Sequence, residues 1–132
     1  MTNPEFKSML EKRTLVFAAD VIRLFQRVHI SSQNRNIRDQ VIRSASSVGA
    51  NYRESSHAES REDFLHKISI VTKEAAETEY WLMLLQELNP EVENLQTVIS
   101  EASALTRLFD KTRRTLLATN AVPASNTANN HQ

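Results

Sequence analysis

The chain has 132 residues, with one Gly, three Pro and no Cys, and its 16 Lys and Arg are matched by 16 Asp and Glu. That length suits one domain around one hydrophobic core. The missing thiols exclude disulfides and cysteine chemistry, and the scarcity of turn formers favours an all-helical fold. Balanced charge gives the whole molecule no positive field for phosphates, which excludes overall steering of nucleic acid but leaves room for a local basic patch.

Asn3, Pro4 and Glu5 make a helix start. They supply a side-chain acceptor at the cap, a Pro whose missing N–H costs nothing there, and a carboxylate near the positive end of the dipole. Phe6, Leu10, Phe17, Val21, Leu24 and Val28 then keep one face, and the spacing predicts helix one over 4–30. The polar cluster 31–36 reads as a turn that also supplies a cap. Helix two is predicted over 34–54, with Ile37, Val41, Ala45, Val48 and Tyr52 as its core stripe. Its middle is small, and Gly49 within it costs about 1 kcal/mol of helix propensity relative to Ala, so close packing is expected at that point to compensate.

Helix three is predicted over 61–88, opened by a capping box at Ser60 and Asp63. Phe64, Ile68, Val71, Ala75, Leu82 and Leu85 form its core row. Near its end Trp81, Leu84 and Leu88 lie on roughly the opposite side, so the last two turns are apolar almost all round. Such a helix is buried on both sides or waits for another chain. Asn89, Pro90 and Glu91 repeat the start signature, and helix four is predicted over 90–118 with Val92, Leu95, Ile99, Ala102, Phe109 and Leu116 inward and Val98 and Leu105 widening the stripe. Residues 119–132 have no charge and little apolar bulk, and read as a disordered tail. The fold expected for 1–118 is therefore an antiparallel up-down-up-down four-helix bundle.

The first ten residues have no apolar signal core, and no run approaches the roughly 18 apolar residues of a membrane span, so a cytoplasmic protein without a membrane partner is expected. No cofactor, metal or small-molecule site is expected either. His57, Glu62 and His66 do not fit a metal spacing, and no Gly-rich phosphate loop or nucleophile turn is present, which argues against an enzyme.

Three surfaces stand out instead. Trp81, Leu84 and Leu88 form a candidate interface between copies of the chain, because leaving them wet forgoes roughly 1.5 to 3 kcal/mol for each large side chain. Arg43, Ser47, Asn51 and Glu54 share one side of helix two away from its core stripe. They are either a solvated row or the place where Arg43 meets Glu77 or Glu79 across a helix or subunit contact. Lys7, Lys12, Arg13, Arg53, Arg61, Lys111, Arg113 and Arg114 are expected to gather at one pole as a candidate RNA or DNA patch, with Glu101 among the acids towards the other pole.

The run Gln40–Leu82 also resembles a bacterial four-helix-bundle family encoded within intervening sequences of 23S ribosomal RNA genes. The residues that carry the resemblance are Arg43, Ser47, Val48, Ala50, Asn51, Glu54, Phe64, Glu77 and Glu79. The chain departs from the family pattern at Gly49, where Pro is usual, and at Tyr52, Arg53 and Ser55, where Ile, Ala and Gly are usual. The resemblance implies a ring of five identical bundles and no enzymatic activity, and relatives of the fold serve as accessory proteins to reverse transcriptases. The function expected is thus a self-assembling scaffold or adaptor, and the alternative is a nucleic-acid-binding accessory protein.

Overall fold

The computed structural model describes residues 4–130, with side chains for 4–119. Four helices follow one another: α1 Pro4–Leu24, α2 Arg35–Ser55, α3 Arg61–Leu88 and α4 Leu95–Asn130, and a single 3-10 turn, Phe25–Arg27, prolongs α1. There is no strand among the described residues. Helices α1 and α3 each pack against α2 and α4, which makes a four-helix bundle with α1 and α3 on its diagonal. Arg43 faces Glu77 while Glu54, eleven residues on, faces Lys67. Contacts that climb α2 and descend α3 belong to an antiparallel pair.

The predicted apolar rows make the core. All of Ile37, Val41, Ala45, Val48 and Tyr52 are buried from α2, and Ile68, Val71, Ala75, Leu82 and Leu85 from α3. From α1 come Leu10, Phe17, Val21 and Leu24, and from α4 Leu95, Ile99, Ala102, Leu105 and Phe109, while Phe6, Phe64 and Val92 pack on the core from its edge. The rings of Tyr52 and Phe109 meet at 5.4 Å between centroids, tilted by 52°.

A polar seam crosses this core. Thr14, Ser44 and Thr78 are fully enclosed, yet each hydroxyl is bonded. Thr14 donates to the Leu10 carbonyl at 2.8 Å, and the Ser44 and Thr78 hydroxyls lie 2.8 Å apart across the α2–α3 contact. Gly49 faces this seam from the middle of α2. A Cβ placed on it would stand 3.1 Å from Thr14 Oγ1 and 3.3 Å from Thr14 Cβ, so the absent side chain is what lets α1 and α2 approach. The close packing expected at Gly49 is present.

Three helix ends differ from the sequence reading. Helix α1 stops at Leu24 rather than near residue 30, and Val28 is extended. The buried Asn34 captures the connection there, accepting from the Ser31 amide at 2.8 Å and donating to the His29 carbonyl at 2.9 Å. Its side chain is thereby used on the preceding loop and makes no cap bond to α2. Helix α4 begins at Leu95 rather than at 90, because Asn94 takes a left-handed φ of 67°, which a helix cannot continue through. Asn89, read as the cap, instead accepts from Asn34 Nδ2 at 3.2 Å. At the start of α3 the Ser60 hydroxyl accepts from the Asp63 amide at 3.0 Å, and the Asp63 carboxylate returns to the Glu59 amide at 3.2 Å, one residue before the position a capping box would use. At the far end α4 runs on past residue 118. Of the segment 119–132 read as a tail, residues 131 and 132 and the side chains from 120 onward lie outside the described residues.

Candidate interaction surface

Glu77 is the centre of the polar part of the surface. It lies on α3 one turn before Trp81 and opposite Arg43 of α2, and its carboxylate takes bonds from both. Trp81 Nε1 donates to it at 3.1 Å, and Arg43 Nη2 makes a close ion pair with it. Arg43 also reaches Glu74 at 3.3 Å and Gln40 at 3.4 Å. The indole hydrogen bond does most to hold Glu77 below the usual carboxylate range; desolvation opposes it and Arg43 adds to it. Burial works against the charge of Arg43, but the bond and charge of Glu77, with Glu74, outweigh it, so the guanidinium is held more firmly protonated than usual. Of the two carboxylates anticipated for Arg43, Glu77 is the partner. Glu79 has no ion pair among the described residues.

The rest of the α2 row runs along its own backbone. Ser47 donates to the Arg43 carbonyl at 2.9 Å, Asn51 donates to the Ser47 carbonyl at 2.8 Å, and Glu54 pairs with Lys67 of α3 at 3.2 Å. Only the two ends of the row, Arg43 and Glu54, cross to α3; Ser47 and Asn51 between them are bonded within α2.

Beside this row lies the apolar face of α3. Trp81 and Leu84 are half-buried against the core, and Leu88 is exposed. The most open members are two that the sequence reading did not select, Tyr80 at 60% and Met83 at 51%. The Tyr80 ring stands edge-on to Trp81 at 5.5 Å. A signal for Tyr80 and Met83 exists in the sequence: with Ala76 and Glu87 they repeat at three and four residues on the side away from the core row.

Of the eight cations expected at one pole, Arg13, Arg113 and Arg114 are paired with acids. Arg13 is gripped by both oxygens of Glu101, Nε to Oε2 at 2.7 Å and Nη2 to Oε1 at 2.8 Å, across α1 and α4, so that arginine and that glutamate are neighbours rather than at opposite poles. The hydrogen bond to Glu101 raises the Arg13 pKa, and burial works against it. Arg113 and Arg114 both lie on Asp110, at 2.8 and 2.5 Å, and hold that carboxyl low. Lys7 and Arg61 line one cleft with Phe64, and Arg61 and Lys111 line a second with Phe6 and Phe64. Arg53 lies instead along the α1–α2 side, and Lys12 is exposed on α1. Among the described residues no group of three or more His, Asp or Glu is placed to hold a metal ion, and no helix is long and apolar enough to cross a membrane.

An all-helical core, ion pairs between α2 and α3 and exposed apolar side chains on α3 define a four-helix-bundle protein. The chain belongs to the 23S rRNA-intervening sequence protein family, whose model matches residues 7–111. It is similar to a crystal structure of a protein with unknown function from the S23 ribosomal protein family of Bacteroides thetaiotaomicron, with 31% sequence identity over 78% of this chain and 96% of that one and a TM-score of 0.69. No curated protein matches the chain.

Proposed function

We propose that the protein is a non-enzymatic, self-assembling scaffold or adaptor of the cytoplasm, whose copies meet through the apolar face of α3. The observation that carries this reading is the exposure of Tyr80, Met83 and Leu88 on the last turns of α3, with the half-buried Trp81 and Leu84 among them. Large apolar side chains left open together at one end of a helix mark a binding face. The Glu77 carboxylate fixes the indole at the edge of the patch, so the face is ordered before it meets a partner. The ring of five expected from the family resemblance is one closed form such copies would take. Sedimentation tests the reading: the native particle is heavier than the 15.1 kDa chain, and Met83→Asp reduces it to one chain that keeps its helicity. A wild-type particle of a single chain sinks the proposal.

The second reading, RNA or DNA binding, is favoured by the two adjoining clefts in which Lys7, Arg61 and Lys111 surround Phe6 and Phe64. Cations interleaved with aromatic rings suit a single strand. Retention on single-stranded RNA that falls steeply between low and moderate salt supports it, and the absence of retention at low salt removes it.

A further inference from the structure

Helix α1 has two apolar rows. The first is in the core; the second, Leu15, Ala18, Ala19 and Ile22, repeats at three and four residues and faces outward, with Leu15 53% and Ile22 47% exposed. Across from it α2 offers only Ser46, Gly49 and Ala50, so the two helices bound a shallow cleft of about 390 Å³ with a mostly carbon lining and Arg53 on its rim. Arg53 has no ion pair among the described residues. A ligand for this cleft is therefore long, apolar and bulky, and brings one negative charge.

The chain carries such a shape on its other side. On α3, Tyr80 and Met83 are exposed and form an apolar ridge, and Glu87 lies in the same stripe, four residues after Met83 and seven after Tyr80, with Leu84 and Leu88 on the adjoining stripe. Glu87 is exposed and likewise has no ion pair among the described residues. The ridge and the cleft cannot meet within one molecule, because α1 and α3 stand on the bundle diagonal.

We infer that the α3 ridge of one copy seats in the α1–α2 cleft of the next, with Glu87 answering Arg53. The occupant of the cleft is thus a second copy of this chain, and the contact joins two different faces. This rests on the scaffold reading above and adds the receiving surface to it. A contact between unlike faces propagates from copy to copy and closes as a ring or runs on as a filament, whereas a contact between like faces stops at two.

Two variants test it. Tyr80→Asp with Met83→Asp blunts the ridge and leaves the cleft; Leu15→Asp with Ile22→Asp blocks the cleft and leaves the ridge. All four positions are open, so both variants keep their helicity. Each alone sediments as one chain, and an equimolar mixture gives a particle of two chains, because one good ridge meets one good cleft. A mixture that stays at one chain overturns the inference, as does a cleft variant that assembles like wild type. In the second case, with wild type still assembled, the scaffold reading survives and only the receiving surface is wrong; a wild-type protein of one chain ends both. A charge exchange provides the second measurement: Arg53→Glu and Glu87→Arg each weaken assembly about tenfold or more, and the double variant regains it. Failure of the double variant to recover overturns the Glu87–Arg53 pairing.

Discussion

Trp81 and Glu77 are one helical turn apart on α3, and the indole N–H donates to the carboxylate at 3.1 Å while Arg43 holds that same carboxylate from α2. One acid thus sets the pose of the largest aromatic side chain and ties two helices together. With Arg43 nearly half-exposed, solvent screening keeps the pair modest. Glu77→Ala is expected to cost about 1 kcal/mol or less of stability and to shift and broaden Trp81 fluorescence as the ring loses its anchor. Chemical denaturation and emission spectra measure both.

The same carboxylate gives a pH dependence of known sign. Its folded pKa lies below the unfolded value, so in the acid range the unfolded chain takes up the proton first. The stability contributed by Glu77 is complete above the ordinary glutamate value of about 4.3 and is lost as pH falls through the folded value. In Glu77→Gln the fall of the urea midpoint between neutral pH and pH 3 is expected to be shallower than in wild type. An identical fall refutes the assignment.

Gly49 lies under Thr14, and the balance there is between helix propensity and space. Gly49→Ala gains up to about 1 kcal/mol in propensity. Its new methyl meets a Thr14 side chain that is fully enclosed, β-branched and bonded to its own helix. Crowding in packed cores costs about 1 to 3 kcal/mol, so a net loss of roughly 1 kcal/mol is expected, and Gly49→Val loses more. In a Thr14→Ala background Gly49→Ala is expected to cost less. A double-mutant cycle with no coupling would place the contact elsewhere.

Arg13 and Glu101 join α1 to α4 by a two-pronged bond whose members are each about one third exposed. Arg13→Ala is expected to cost about 0.5 to 1 kcal/mol, less in high salt. Hydrogen exchange would rise first in α1.

Phe109 is fully enclosed against Tyr52. Phe109→Ala is expected to cost about 3 to 5 kcal/mol, the range for removing a large core aromatic. A loss below about 1 kcal/mol, read from denaturant midpoints, would mean that the site is not core.

The bundle was legible wherever period and burial agree. The α2 stripe from Ile37 to Tyr52 and the α3 row from Ile68 to Leu85 are buried as their spacing requires. The ends of α1 and α4 escape the apolar period because polar side chains and one backbone angle set them: Asn34 binds back onto Ser31 and His29, Asn94 is left-handed, and the long-range bond from Asn34 takes Asn89 away from the cap its neighbours Pro90 and Glu91 suggest. On the surface, the attraction between Arg43 and an α3 acid follows from helix order alone, whereas Glu74 as a second acid and Glu101 as the partner of Arg13 depend on the lateral placement of whole helices. Tyr80, Met83, Leu15 and Ile22 escape a reading by period because a second apolar row on a helix looks like a widened first row until the bundle shows which side each one faces.

The enclosed hydroxyls of Ser44 and Thr78 act as a vernier between two otherwise greasy rods. A slip of α3 along α2 by one turn would leave aliphatic contacts nearly as good, yet would break the bond between these two oxygens and leave each only a carbonyl of its own helix, Val41 for Ser44 and Glu74 for Thr78. Misaligned pairings, including those formed with a neighbour's helix during crowded synthesis, are thereby disfavoured, and correct alignment precedes any assembly of finished bundles.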